Sequence, residues 1–249
     1  LHVLQLNAEI FRQRLAAGQD GDVFEHRFAA IAKSGSFHGA GLQGATQFVH
    51  NQRRERLAFD FFSDDQERPA HFRDLLQQNG LTSPSSHLGI ELMEKDARSV
   101  FADAKAIGNE WAVVPWLPEE RRNDWGKLAG QLNTFGAQAK SQGLRLAYHN
   151  HDFEIRPVNG TRPLDTLLSG TDPSLVDFEM DLYWVIFGGG QPLDFFNRYP
   201  GRFKMVHVKD SAGPPDNKMV DVGKGTINFP AIFAQSAKAG IQHYFVEHD

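Results

Sequence analysis

The sequence contains no cysteine among its 249 residues. This absence excludes disulfide frameworks, thiolate zinc sites, iron–sulfur clusters and cysteine nucleophiles. Any metal ion that the protein holds must therefore be bound by histidine and carboxylate side chains. The absence is compatible with an oxidising and with a reducing cellular compartment, because a protein without thiols works in either redox setting.

An excess of basic charge and long apolar runs are also lacking. Lys and Arg number 26 against 31 Asp and Glu, which gives a net charge of −5. Such a chain offers no basic field for a phosphate backbone, so we expect no nucleic-acid partner. No run of about 18 apolar residues occurs, so we expect no membrane span. The apolar fraction of 41% and the charged fraction of 23% are typical of a globular protein.

Short apolar runs alternate with amphipathic segments along the whole chain. The pattern predicts helices at residues 23–34, 71–79, 97–107, 124–142 and 228–238. It predicts eight strands, at residues 3–7, 37–42, 81–89, 111–116, 144–149, 175–181, 203–208 and 243–247.

This alternation favours a single (β/α)8 TIM barrel domain over residues 1–249, with its final helix missing. The competing fold is an open doubly wound sheet. That fold requires a Gly-rich phosphate turn after an early strand, and the sequence has none. Because the sequence starts at Leu1 and stops at Asp249 beside strand-like runs, we expect both ends to be trimmed. The default compartment is the cytoplasm; the periplasm or secretion would follow if a signal peptide preceded Leu1.

Histidines and carboxylates end four successive predicted strands. In a barrel the carboxyl ends of the strands form the functional face. Side chains alternate along a strand, so residues two apart share a side. A mixed nitrogen and oxygen donor set suits Mn, Zn, Co or Fe better than Ca, and it supports proton abstraction next to a carbonyl. The same-side pairs are His149 with His151, Glu179 with Asp181, and His207 with Lys209; Glu247 ends the eighth strand.

Each of these residues alone also fits a structural role. Asp181 or Glu247 could cap a following helix, and Lys209 could be a rim charge paired with Asp210. Trp116 and Trp184 either wall a sugar pocket or pack in the core and rim. The coincidence at four strand ends is what favours a metal or acid–base site.

Five segments resemble the sugar phosphate isomerase/epimerase family, which has the xylose isomerase-like TIM barrel. The likeness extends over residues 97–249, whereas the amino-terminal third is similar only through Ser86-His87 and the element order. Where many members carry a Glu after strand two, this chain has Gly41-Leu42-Gln43. The segments are YHNHDFEI (148–155), VDFEMDLYWV (176–185), MVHVKD (205–210), VGKGTINF (222–229) and YFVEHD (244–249).

The resemblance implies one divalent metal ion, Mn, Zn, Co or Mg, held by Asp181, His207, Glu247 and a ligand on strand five. His149 occupies the strand-five position, which is commonly Glu in the family, and Glu154 is the other candidate. The residues implied in catalysis are Glu154, Glu247, His151 and Lys209. His87 is expected at the substrate, together with Trp116 and Trp184 if they wall the pocket.

The resemblance further implies an enzyme that abstracts a proton next to a carbonyl of a sugar or keto-sugar. Isomerisation, epimerisation and elimination share that first step, so all three remain open, with isomerase or epimerase put first. One alternative is a non-catalytic sugar-binding barrel. Another is an abasic-site endonuclease, which the net charge of −5 disfavours. The expected partner is a small-molecule sugar, and a homo-oligomer is left open.

Overall fold

The computed structural model describes residues 4–5, 68–78 and 80–248. The predicted helix 23–34, the predicted strand 37–42 and the Gly41-Leu42-Gln43 position lie outside the described residues. None of the described helices is long and apolar enough to cross a membrane.

The described strands form a curled sheet in which parallel neighbours follow one another along the chain. Five adjacent pairs of strands are parallel. The first strand, β1 (Leu4–Gln5), of which two residues are described, pairs antiparallel with β2 (Ser85–His87). A separate two-stranded sheet pairs β7 (Asp210–Ser211) with β8 (Met219–Val220). In spatial order the main sheet contains β1 (Leu4–Gln5), β2 (Ser85–His87), β3 (Trp111–Val114), β4 (Arg145–His149), β5 (Val176–Asp181), β6 (Phe203–Val208) and β9 (His243–Val246).

Helices connect the parallel strands, as in a βα repeat. The turn Glu119–Arg121 is a short 3₁₀ helix. The α-helices are α1 (Arg68–Gln78), α2 (Ile90–Ile107), α3 (Trp125–Ser141), α4 (Pro163–Gly170), α5 (Leu182–Phe187), α6 (Pro192–Arg198), α7 (Phe229–Phe233) and α8 (Ser236–Ala239).

The helix boundaries follow from capping side chains. The Asp124 carboxylate accepts a hydrogen bond from the Lys127 N–H at 2.8 Å, which starts α3 close to its predicted position. α2 begins earlier than predicted, at Ile90, but its backbone is non-helical at Asp96 (φ −160°, ψ 78°). At this break the Asp96 carboxylate accepts a hydrogen bond from the Ser99 N–H. The predicted helix 97–107 therefore corresponds to the part of α2 that follows the break. The predicted helix 228–238 is two short helices, because the backbone at Gln235 (φ −101°, ψ 9°) interrupts it.

The sheet separates two layers of buried side chains. Most of the core lies between the strands and the helices, where Tyr148 and Phe178 pack. The opposite face of the sheet, inside the barrel, holds a small apolar cluster of Trp111, Val113, Ala147, Met205 and Phe245. Polar groups occupy the rest of this interior, toward the carboxyl ends of the strands.

Candidate active site

Strand β5 carries three buried acids on its inward side: Asp177, Glu179 and Asp181. They follow one another at intervals of two, so they stand at three depths inside the barrel. Asp177 lies nearest the amino-terminal end of the strand. Its carboxylate accepts a hydrogen bond from Trp111 Nε1 at 2.8 Å and forms an ion pair with Arg145. Trp111 and Arg145 thus supply hydrogen bonds to the carboxylate of Asp177, whereas the other two acids face histidines or Lys209.

Three histidines meet at one oxygen of Glu179. The distances to Glu179 Oε2 are 2.6 Å from His87 Nε2, 3.1 Å from His149 Nδ1 and 3.3 Å from His207 Nε2. Burial would raise the pKa of Glu179, but the charges of His207 and His87 and the hydrogen bonds from His149 and His207 lower it well below its usual range. An ionised carboxylate only accepts hydrogen bonds, so these ring nitrogens are the donors.

Asp181, His207 and Glu247 form a second group at the barrel mouth, with one potential ligand atom of each within 4.8 Å of the others. His207 Nδ1 lies 2.6 Å from Glu247 Oε2 and 4.0 Å from Asp181 Oδ2. Asp181 Oδ1 accepts from the Trp184 N–H at 2.9 Å and so caps α5. That cap leaves Oδ2 facing the other members of the group.

Lys209 and His149 border this group. Lys209 Nζ lies 2.9 Å from Glu247 Oε2 and 3.2 Å from Asp181 Oδ2. His149 turns Nδ1 toward Glu179 and Nε2 toward Asp181 Oδ2, at 3.9 Å. The structure therefore brings together three of the predicted ligands, Asp181, His207 and Glu247, and it places the fourth, His149, beside Asp181 but within the inner group of His87, Glu179 and His207.

The charge states of these groups follow from burial and from their neighbours. Burial and the charge of His207 lower the pKa of His149 to about 3, so its ring is neutral. Burial opposes charge on His207, yet Glu179 and Glu247 raise its pKa to about 10. The pKa of Glu247 is held well below its usual range by His207 and Lys209, against the effect of burial. Burial raises the pKa of Asp181, although Lys209 partly opposes the rise.

Glu154 lies on the other side of β4. The Tyr148 hydroxyl donates to Glu154 Oε1 at 2.6 Å, and the His151 N–H donates to Oε2 at 2.8 Å. Tyr148 belongs to the layer between strands and helices, opposite His149. Burial raises the pKa of Glu154 to about 7, against those two hydrogen bonds. The structure does not bring Glu154 to the Asp181 group.

The remaining predicted residues lie at different depths. His87 is inside the barrel, on Glu179. His151 and Trp184 line the mouth with ring centroids 5.6 Å apart, and His151 Nδ1 is buried with no hydrogen-bond partner among residues 4–5, 68–78 and 80–248. Trp116 is 47% exposed at the rim, where Arg122 stacks on it.

The donor set at the mouth suits a divalent transition metal. It combines carboxylate oxygen with imidazole nitrogen, the mixture that Zn, Mn and Co accept. Asp181 Oδ2 is buried and accepts no hydrogen bond of favourable geometry from the described residues, although Lys209 Nζ is 3.2 Å away. A buried carboxylate oxygen in this condition fits a metal ligand.

Glu179 was not among the site residues that the sequence predicted. The only signal for it was its two-residue spacing from Asp181 within VDFEMD. That spacing gives the side of the strand but not the three histidines that converge on it from β2, β4 and β6.

The fold and family can be assigned by comparison. Inosose dehydratase from Bacillus anthracis is 30% identical over 149 residues, 52% of this chain and 48% of that protein. The chain thus spans about half the length of the curated relatives it matches. A sugar phosphate isomerase/epimerase structure from Parabacteroides distasonis ATCC 8503 is 30% identical, with a TM-score of 0.61, over 73% of this chain and 68% of that one.

The IolI protein, solved with a bound zinc atom, has a TM-score of 0.58 at 14% identity, over 75% of this chain and 73% of that one; this likeness concerns the fold alone. The sequence model of the xylose isomerase-like TIM barrel family matches residues 37–247. The predicted TIM barrel and the resemblance are confirmed, and the chain belongs to the xylose isomerase-like TIM barrel family.

Proposed function

We propose that the protein is a metal-dependent lyase that removes a proton next to the carbonyl of a cyclic keto-polyol or keto-sugar and eliminates water. One observation carries the proposal: the ligand atoms of Asp181, His207 and Glu247 converge within 4.8 Å, with Lys209 against both carboxylates. The inosose dehydratases among the relatives favour elimination over the isomerisation or epimerisation that the resemblance put first.

In this proposal Asp181, His207, Glu247 and His149 hold a divalent ion, Mn, Zn, Co or Mg. When bound, the ion supplies a Lewis acid that polarises a carbonyl or hydroxyl oxygen of the substrate. His149 would bind the ion as the neutral ring that it already is, whereas binding to His207 would release the proton that its raised pKa retains.

His151 and Lys209 move the protons. Burial above all, with the charge of Lys209 adding to it, lowers the pKa of His151 well below its usual value, so the ring is unprotonated. Its Nδ1 takes the proton from the carbon next to the carbonyl, and the electron pair of that C–H bond forms the new double bond. The hydroxyl on the neighbouring carbon leaves with a proton from Lys209 Nζ, as water.

The aromatic wall positions the substrate. The Trp184 ring lies 5.6 Å from the His151 ring and 6.0 Å from Lys209 Nζ, between the two proton-transfer groups. Its Nε1 is buried and has no hydrogen-bond partner in the part of the chain that the structure describes, and in this proposal it donates to a substrate hydroxyl. Glu154, enclosed by Tyr148 and the His151 backbone, holds the segment that carries His151.

The test uses the metal-loaded chain in D₂O with a panel of keto-inositols and keto-hexoses. We expect deuterium at the carbon next to the carbonyl, seen by NMR, and loss of one water, seen by mass spectrometry. Both should vanish with a chelator and in H151F, and both should survive in H248Q, because His248 is a half-exposed histidine outside the group. Epimerised product without water loss would replace the lyase with an isomerase. Binding without exchange would instead indicate a sugar-binding barrel.

A further inference from the structure

We infer that Glu179 is a positioning residue that determines which ring nitrogen of His149 and of His207 is presented to the proposed metal ion. The inference rests on the metal site of the proposed function. It concerns a residue that does not itself face the barrel mouth.

The two rings are arranged in the same way around one oxygen. His149 directs Nδ1 to Glu179 Oε2 at 3.1 Å and Nε2 toward Asp181 Oδ2 at 3.9 Å. His207 directs Nε2 to Glu179 Oε2 at 3.3 Å and Nδ1 toward Glu247 Oε2 at 2.6 Å and Asp181 Oδ2 at 4.0 Å. In each ring, one nitrogen meets Glu179 and the other meets the carboxylates at the mouth.

This arrangement determines where the protons lie. A carboxylate accepts hydrogen bonds and cannot donate when ionised, so the nitrogen that faces Glu179 keeps its N–H. The opposite nitrogen then faces the metal site. In the neutral ring of His149 it offers a lone pair directly, whereas in His207 it becomes available when metal binding releases its proton. Glu179 therefore selects Nε2 of His149 and Nδ1 of His207 as the ligand atoms.

A glutamate suits this position better than a glutamine. Three ring nitrogens, including that of His87, converge on the same oxygen, and a charged acceptor binds such donors about twice as strongly as a neutral one. Full burial strengthens the effect further, because the local dielectric is low. A carboxylate behind a ligating histidine typically changes metal affinity by about 10- to 100-fold.

Asp177 provides a matched control on the same strand. It is a buried acid on the same face, two residues before Glu179, and it pairs with Arg145 and Trp111 instead of with histidines. D177N removes a buried negative charge without touching either ring. A loss of metal affinity that came only from weakening the barrel would appear in D177N as well.

The experiment measures zinc affinity, by competition with a chromophoric chelator, and zinc stoichiometry in the wild-type chain, E179Q, E179L and D177N. We expect one zinc per wild-type chain, affinity about 10- to 100-fold weaker in E179Q and weaker still in E179L, and a change below about twofold in D177N. Equal affinity in the wild type and E179Q would overturn the inference. So would two ions per wild-type chain and one in E179Q, since Glu179 would then be a ligand of an inner ion among His87, His149 and His207.

A second measurement separates this inference from the metal site itself. In the ¹⁵N-labelled, metal-free chain, NMR reports which nitrogen of His149 carries the proton. We expect the Nδ1–H form in the wild type and in D177N, and a mixture of tautomers in E179L. A wild-type chain that binds no zinc but keeps this pattern would refute the metal site while leaving the role of Glu179 intact. A His149 tautomer that is unchanged in E179L would refute the role of Glu179.

Discussion

Glu154 is a buried acid whose protonation should be visible in the stability of the protein. Burial raises its pKa to about 7, while hydrogen bonds from Tyr148 and the His151 N–H and the charge of Arg122 oppose the rise. Because the pKa in the folded protein lies above the unfolded value of about 4.5, the protonated form stabilises the fold. That contribution is complete below about pH 4.5 and is lost as the pH rises through about 7.

The variant that tests this is E154Q, which keeps the shape and cannot ionise. The unfolding free energy of the wild type minus that of E154Q should fall by about 3 kcal/mol between pH 4.5 and pH 8, as measured by urea denaturation. E110Q, at an exposed glutamate, serves as the control and should show no such trend. A difference that stays flat with pH would mean that Glu154 ionises normally.

Lys209 is a buried cation that touches both carboxylates of the proposed metal site. Replacing it in K209M should reduce turnover of a keto-polyol by about 100- to 1,000-fold, because the proton donor and the positive charge are both lost. The zinc affinity should not weaken, since a competing cation has been removed from Asp181 and Glu247. K218M, at an exposed lysine, is the control. Parallel losses of turnover and zinc affinity would instead make Lys209 a residue that supports the fold.

At the scale of an element, hydrogen bonds to a single carboxylate hold the loop after β8 in place. Asp210 accepts hydrogen bonds from the N–H groups of Ser211, Gly223, Gly225 and Ile227. The loop packs so closely that a Cβ on Gly225 would overlap Asp210 Oδ1 and Ser211 O. Close packing therefore explains why the second position of glycine in the motif VGKGTINF, residue Gly225, carries no side chain.

The corresponding prediction compares two Gly-to-Ala changes. G225A should lower the unfolding free energy by about 1–3 kcal/mol, because a side chain is forced into occupied space. G130A, in α3, should raise it by about 0.5–1 kcal/mol, because no described atom other than the adjacent residues and the helix's own backbone lies within 4 Å of the added carbon. Denaturant titrations of both variants check the pair. G225A with wild-type stability would show that the loop moves aside at little cost.

The elements also show which parts of the fold a sequence can predict. β6 and the carboxyl end of β5 fall where predicted, because apolar residues recur at least at every second position in FKMVHV and VDFEMD. Helices such as α5 and α6, of six and seven residues, are too short to show a helical period, and they were not predicted.

The side to which a site residue points could likewise be predicted for some residues and not for others. His149 lies within β4, where strict alternation fixes its side, so its inward position follows from the sequence. Glu154 lies beyond the end of β4, where alternation no longer applies, and only the structure shows that it turns to Tyr148. The contacts of Glu179 depend on which strands are neighbours and at what register, which a single sequence does not contain.

For the whole molecule, the proposed metal site ties together distant parts of the chain. His149 lies on β4, Asp181 on β5, His207 on β6, and Glu247 follows β9. A ligand that binds the folded state alone stabilises it by mass action, by about 2.7 kcal/mol at a free concentration one hundred times its dissociation constant. Metal binding should therefore raise the melting temperature of the entire barrel.

We expect zinc or manganese to raise the melting temperature of the wild-type chain and a chelator to reverse the rise. E247Q should abolish most of the increase, because the amide cannot supply the negative charge of a carboxylate ligand, whereas E110Q should keep it. Calorimetry of the three chains, with and without metal, gives the comparison. An increase of the same size in E247Q would place the bound ion elsewhere. No increase in the wild type would remove the metal from the proposed mechanism and leave the carboxylates of Asp181 and Glu247 as ion-pair partners of Lys209 and His207.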